Sequence, residues 1–226
     1  MMRIFSGVFL KEFVKTRSCM LILFAGNIVF MGWLWLTIRR LFLQDHPEIV
    51  WYRVMDLGQI PWTPLTFVPI LCGVLFCAFQ FWPEMRDERM RISLHLPCPM
   101  ASLILAHLIY GLGFLAVLFT LDSAALSLML AQFFPAETQR LAVSTCLPWF
   151  MAGLYAYLCA AWCILEPQRR VKSVGLILGV CLCVLLTQKG QPGSLVPCLP
   201  FFLLGLPLLV AGLLLPAMHY RHRRVQ

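Results

Sequence analysis

Four polar residues lie inside long apolar stretches, and they are the first candidates for chemistry. They are Asn27, Gln80, His107 and Asp122. A polar side chain inside a bilayer is costly, so such residues often line a substrate or ion path. We take Asn27, Gln80 and Asp122 as candidate pathway residues. Packing explains them equally well: an asparagine can bond across a helix interface, and Gln80 and Asp122 could lie near water.

The motifs of soluble enzymes are absent from the sequence. No P-loop, HExxH, GxSxG or dinucleotide-binding glycine pattern occurs. We therefore expect no catalytic residue, metal ligand or cofactor in this chain. A lone His107 makes a haem ligand pair implausible, and the ten cysteines lie mostly in apolar runs, where a free thiol is a small apolar side chain. Only Cys146 and Cys198 are kept as a candidate disulfide.

The composition predicts an integral membrane protein. Of the 226 residues, 61% are hydrophobic and 12% are charged, and the mean hydropathy is +0.83. Disordered chains need low hydrophobicity, and a soluble domain could not cover its surface with so few charges. The net charge of +8 does not indicate nucleic-acid binding, because the basic residues flank the apolar stretches.

The apolar stretches predict an all-α fold with six transmembrane helices in a single domain, 1–226. A span needs about 20 apolar residues. The third stretch is too long for one span and too short for two with a turn, which indicates one long or broken helix. The predicted spans are 18–37, 64–83, 100–134, 141–165, 173–187 and 199–218.

The distribution of basic residues predicts the orientation. Of the 18 Lys and Arg residues, 13 fall in the N-terminal segment, the loops after the second and fourth spans, and the tail. Lys and Arg accumulate in cytoplasmic loops. Both termini are therefore expected to be cytoplasmic.

The N-terminal segment, 1–17, shows a helical period of its own. Phe5, Phe9 and Phe13 recur every fourth residue, while Lys11 and Glu12 fall elsewhere on the helix. This pattern predicts an amphipathic helix lying in the membrane interface. The alternative is a basic flank that orients the first span, which explains the charges but not the phenylalanine period.

The segment that follows the second span is densely charged and is expected to be a docking site. It carries six charged residues within positions 84–91 and then an apolar turn that ends at a proline. A short helix of this kind could dock on a cytoplasmic partner, or the charges could simply stop transfer through the membrane. The candidate docking residues are Glu84, Arg86, Asp87, Glu88, Arg89, Arg91, Leu94 and Pro97.

This segment resembles the permease subunits of the second class of ABC exporters. The resemblance rests on Glu84, Glu88, the run 92–97 and the start of the next span at 101–109. The run from Leu10 to Arg17 is similar to the family's approach to its first span. Met90, Arg91 and His107 depart from the family's usual residues.

The resemblance implies a fold and a function. In that family the N-terminal piece is an interfacial helix, segment 84–99 is a coupling helix that docks on an ATPase, and segment 188–200 is re-entrant at the outer side. The implied partners are a nucleotide-binding ATPase subunit that holds ATP and Mg, a second permease copy or homologue, and membrane lipid. The implied location is a bacterial inner membrane.

The expected function is therefore that of a permease subunit that moves an apolar or amphipathic substrate and is not itself an enzyme. Two alternatives remain open at this stage. One is a structural or assembly subunit of a membrane complex. The other is an intramembrane enzyme using Glu84, Glu88 and His107, which is disfavoured because the two glutamates are expected on a loop.

Overall fold

The computed structural model describes residues 2–86, 100–166, 168–188 and 191–222, and every regular element within these ranges is a helix. Within these described ranges, seven α-helices and two short 3-10 turns follow one another. The α-helices are α1 (Met2–Gln44), α2 (Pro47–Met55), α3 (Phe67–Arg86), α4 (Met100–Leu130), α5 (Ala136–Leu165), α6 (Arg169–Leu186) and α7 (Leu199–His222). The 3-10 turns are Thr63–Thr66, before α3, and Val196–Cys198, before α7.

Five of these helices are long and apolar enough to cross a membrane, which confirms an all-α membrane protein. The candidate spans are Gly7–Gln44, Thr63–Met85, Ala101–Leu130, Ala136–Leu165 and Val196–Leu214. The helix α6 is not among them, because Arg169, Arg170 and Lys172 fall in its first four residues. The predicted count of six spans therefore stays a prediction.

Helix α5 forms the centre of the bundle and packs against α3, α4, α6 and α7. Its closest neighbour is α3, and two glycines allow their backbones to touch. A Cβ on Gly73 would lie 2.2 Å from the Gly153 carbonyl oxygen, and a Cβ on Gly153 would lie 2.6 Å from the Pro69 carbonyl oxygen. Any larger residue at either position would have to push the two helices apart.

Helix α1 runs without a break through the predicted junction between an interfacial helix and the first span. With 43 residues it is about 64 Å long, roughly twice the thickness of a hydrocarbon core. The N-terminal segment is therefore continuous with the first span, and its position in a membrane interface stays a prediction. The stretch contains no proline, and none of its glycines has a positive φ angle. No residue in it therefore favours the end of a helix.

Three other segments refine the sequence-based boundaries. No helix was predicted between the spans 18–37 and 64–83, but this region contains α2. The third apolar stretch forms one unbroken helix, α4, which is one of the two forms expected for it. Segment 191–198 consists of turns and a 3-10 turn, and its re-entry into a membrane stays a prediction. Cys146 and Cys198 are free thiols, so the candidate disulfide is not formed.

Candidate functional site

One face of α1 is buried along most of its length, and this face brings polar residues into the bundle. Its members follow one another at intervals of three or four residues, which places them on one side of a helix. They are Glu12, Thr16, Cys19, Leu23, Asn27, Met31, Leu34 and Ile38. Three of the eight are polar, so the buried face of α1 carries its own candidates for function.

Glu12 lies at the start of this face and is fully buried, with 0% exposure. Its Oε1 accepts a bond from the Lys15 ammonium at 2.5 Å and lies 3.3 Å from His107 Nε2 on α4. Its Oε2 has no hydrogen-bond partner. Burying a carboxylate costs several kcal/mol, so the two basic partners must offset that cost.

The contact between Glu12 and His107 is a hydrogen bond only when a proton lies between the two side chains. His107 Nδ1 lies 2.8 Å from the Leu103 carbonyl oxygen, which can only accept, so Nδ1 carries a hydrogen. A neutral ring would then present a bare Nε2 to the carboxylate oxygen. The 3.3 Å contact is attractive when the imidazole is doubly protonated or Glu12 is neutral.

Glu84 joins the same group of charges from the last turn of α3. Its side chain is 4% exposed, and Oε1 lies 3.0 Å from the Lys11 ammonium and 3.1 Å from that of Lys15. Lys15 also donates to the Gln80 carbonyl oxygen at 3.0 Å. We call Lys11, Glu12, Lys15, Glu84 and His107 the ionic cluster. It connects the start of α1 to the end of α3 and the start of α4.

Uncharged groups complete the cluster on the side of α5. Gln80, fully buried, donates from Nε2 to the His107 carbonyl oxygen at 2.9 Å and accepts from the Tyr157 hydroxyl at 2.8 Å. Gly111 makes room for this pair, because a Cβ there would lie 2.0 Å from the Tyr157 hydroxyl oxygen. Gln80 is therefore a bonded packing residue in this structure. A pathway role for Gln80 stays a prediction.

The cluster can hold a proton and can hold helices together, and it offers little else chemically. Among the residues that the structure describes, no group of three His, Cys, Asp or Glu side chains could hold a metal ion. Both oxygens of Glu84 are occupied by lysine ammonium groups, since Oε2 also accepts from Lys11 at 3.2 Å. The arrangement is thus that of a structural junction between α1, α3, α4 and α5.

Among the candidate docking residues, the structure describes the side chain of Glu84 and not those of the others. Glu84 is buried inside α3 and paired, so it does not belong to an exposed docking surface, and the expectation that it lies on a loop is wrong. The last turn of α3 continues past Pro83 to Arg86. Asp87, Glu88, Arg89, Arg91, Leu94 and Pro97 lie outside the described residues, as does the side chain of Arg86.

The structure describes the side chains of four of the five residues assigned to the interfacial helix, and their position in a membrane interface stays a prediction. Phe9 packs on the Tyr110 ring, with centroids 5.6 Å apart, whereas Phe13 is mostly exposed. Glu12, expected on the polar side, faces the protein interior, while Lys11 is half exposed. The phenylalanine period therefore does not mark the buried face. The side chain of Phe5 lies outside the described residues.

The other two candidate pathway residues are buried near the middle of the bundle. Asn27 donates to the Cys72 sulfur at 3.5 Å, and its Oδ1 has no hydrogen-bond partner. Asp122 is 4% exposed, and its Oδ2 is likewise without a partner. Asp122 is thus buried within the protein, and a pathway role for either residue stays a prediction.

Sequence reasoning missed several members of the site. Lys15 and Thr16 on α1, Tyr110 on α4 and Tyr157 on α5 were not singled out, although the Thr16 and Tyr110 hydroxyls lie 2.9 Å apart. A signal was present for Thr16, which belongs to the series spaced by three or four residues that runs from Ile38 back to Glu12, but Lys15 lies outside that series. Tyr157 had no comparable signal.

Comparison of the chain with family models, with curated proteins and with solved structures finds no match.

Proposed function

We propose that the chain is the transmembrane permease subunit of an ATP-driven transporter of the second ABC exporter class. A separate ATPase subunit supplies the energy, and the substrate is apolar or amphipathic. The proposal draws on the resemblance over segment 84–109, the membrane-protein fold and the position of the ionic cluster. The sequence contains no P-loop of its own, so ATP and Mg are assigned to the partner.

The observation that carries the proposal is the attachment of Glu84 to α1. Glu84 lies in the last turn of α3, immediately before the charged segment 87–99, and Lys11 and Lys15 hold it at 3.0 and 3.1 Å. A push on segment 87–99 would therefore act on the end of α3 and, through these two ion pairs, on α1. Such a junction suits a subunit whose helices shift between two packings when a partner moves.

The proposal includes a topology with six spans and cytoplasmic termini. Helix α6 would complete the set of six spans. Gly175 and Gly179 pack it against Trp162 and Cys159 of α5. Its exposed apolar residues include Val174, Ile177 and Val180. The ionic cluster would then lie at the cytoplasmic end, because α1 starts there and α3 ends there. The basic residues of segment 169–172 fall at the same end, as the distribution of positive charge requires.

The test is nucleotide-driven activity of the assembled transporter in nanodiscs. Reversing the charges of Glu88 and Arg89 should abolish ATPase activity that depends on this subunit, while the chain still inserts. Arg169 and Arg170, which are exposed and lie at the same proposed end, provide the matched control. Their reversal should leave the activity within about two-fold of the wild type, since surface charges contribute little. Full activity after reversal at Glu88 and Arg89 would remove the docking assignment.

If no ATPase responded to this subunit, the test would favour a non-transporting assembly subunit. The intramembrane-enzyme alternative gains no specific support from the cluster. Glu84 lies in a helix and not on a loop, so an expected loop position of Glu84 no longer speaks against the enzyme alternative. However, its carboxylate is neutralised by Lys11 and Lys15, and Glu12 and His107 bind each other.

A further inference from the structure

A cavity of about 530 Å³ lies at the opposite end of the bundle from the ionic cluster. It is lined by the end of α1, by α2, by the chain between α2 and α3, by α5, by residues 187–188 after α6 and by the turns at 191–195. Its volume lies within the roughly 300–1,000 Å³ of sites that hold small molecules. None of the residues assigned to docking, to the interfacial helix or to the pathway lines it.

We propose that this cavity binds a single-chain amphipathic anion, a molecule with one apolar tail and a carboxylate or phosphate head. If the bound molecule is taken to be the transported substrate, that step rests on the proposed function. Binding itself needs neither an ATPase nor a second permease.

The apolar part of the cavity is formed by buried side chains that an acyl tail can contact. Val50 and Val54 project from α2, and Trp149 projects from α5, and all three are largely buried. Phe67, at the start of α3, also lines the cavity and is mostly exposed. Since α3 is a candidate span, the exposed Phe67 marks a side of the cavity that a molecule could reach from the bilayer.

The polar part of the cavity favours a head group that accepts hydrogen bonds. Arg53 is the one charged side chain among the described residues that line the cavity. Its Nη1 donates to Asp45 at 2.6 Å, which leaves most of the five guanidinium N–H donors for an anion. An arginine binds carboxylate and phosphate groups through two parallel hydrogen bonds.

The hydroxyl hydrogens of the threonines in the wall are not available to a ligand. The hydroxyls of Thr66, Thr145 and Thr187 donate to the carbonyl oxygens of Thr63, Leu141 and Cys183, at 2.7, 2.6 and 2.7 Å. Their hydrogens are therefore used within the protein, and the charged donor that remains for a ligand is Arg53.

The rim of the cavity is formed by two turns whose shapes require glycine. Gly58 and Gly193 have φ values of 62° and 77°, a conformation that other residues rarely adopt. A Cβ on Gly58 would lie 3.9 Å from Pro192 Cδ, so the two turns approach each other over the cavity. They are the two positive-φ glycines in the described backbone.

The test uses a palmitate analogue with a diazirine in its chain and the full chain in nanodiscs of zwitterionic lipid. After photolysis, mass spectrometry should locate the label on the peptides that carry positions 145–149 and 191–195. An excess of unlabelled palmitate should displace it. Arg53→Gln should reduce the labelling about ten-fold or more, since hydrogen bonds to charged groups contribute about 1.5–3 kcal/mol.

The matched control is Asp45→Asn, which breaks the same salt bridge but keeps the cation of Arg53. It should label as strongly as the wild type or more strongly. Ser194→Trp, at the rim, is a second variant that leaves Arg53 intact and should block labelling. A neutral methyl ester of the probe should not distinguish the wild type from Arg53→Gln.

Label confined to the exposed faces of α1 and α7, unchanged in Arg53→Gln and Ser194→Trp, would overturn the proposal. The outcome is independent of the transporter test. Labelling at the cavity of a chain that never engages an ATPase would contradict the proposed function but not this site, and the reverse result would contradict only the site.

Discussion

Replacing Glu84 by glutamine should destabilise the chain, because it removes the carboxylate that joins α1 to α3. Removing one partner of a buried ion pair costs about 3–5 kcal/mol. The loss should fall at the lower end, about 3 kcal/mol, since the Lys11 side chain is 46% exposed and can be rehydrated, and Lys15 keeps Glu12 as a partner.

The assay is reversible unfolding of the purified chain in mixed micelles of dodecyl maltoside and SDS, followed by tryptophan fluorescence and helical circular dichroism. Asp45→Asn is the control, because it breaks an ion pair whose side chains are 44% and 32% exposed. An exposed pair contributes about 0–1 kcal/mol. A double-mutant cycle between Glu84→Gln and Lys15→Gln should give a coupling energy of about 1 kcal/mol or more.

The reasoning is refuted if Glu84→Gln and Asp45→Asn lose the same small free energy of unfolding. A coupling energy near zero between positions 84 and 15, with both variants folded, would likewise show that the ionic cluster does not hold α1 to α3.

Three other substitutions test the packing. Gly153→Ala should destabilise the bundle by about 1–3 kcal/mol, because the added Cβ meets the Pro69 carbonyl and the Phe119 ring. Gly113→Ala should not destabilise it, because nothing lies within 4 Å of a Cβ at that position. Equal unfolding midpoints for the two variants would contradict the close approach of α3 and α5. Tyr157→Phe should cost about 1–3 kcal/mol by leaving Gln80 Oε1 without its donor, whereas Tyr52→Phe on the exposed side of α2 should be silent in the same titration. Gly58→Ala should cost about 1–2 kcal/mol through its left-handed backbone, and thermal unfolding would expose the error if it did not.

Hydropathy and length predicted most of the helical fold. The third apolar stretch, 100–134, contains α4 with its end at Leu130, and the fourth, 141–165, ends at the residue where α5 ends. The short helix α2 was missed because its nine residues are too few for a periodic pattern to be distinguished from an ordinary polar loop.

The position of Glu84 shows why local signals failed at the site. A proline in a helix interior removes a hydrogen bond and often ends the helix, so the second span was expected to end at Pro83. The helix continues for three more residues, and its last turn is held by Lys11 and Lys15. These lysines are more than 65 residues away in the sequence, and no spacing within segment 84–99 reveals them.

The buried face of the N-terminal segment was missed for a related reason. Its phenylalanines form a regular helical stripe, and in a soluble protein that stripe would be the buried face. In a membrane protein an apolar face can point outward, as Phe13 does, while polar groups pair inside the bundle. The burial of Glu12 follows from its partners on α1 and α4, which only the packed structure brings together.

The central claim is that this chain works with a separate ATPase. The most direct test is to tag the chain, extract it from its native membrane in mild detergent and identify the co-purifying proteins by mass spectrometry. The account predicts a stoichiometric partner with a P-loop, which is lost when the charges of Glu88 and Arg89 are reversed and retained when those of Arg169 and Arg170 are reversed. A stable chain that purifies with no ATPase would contradict it.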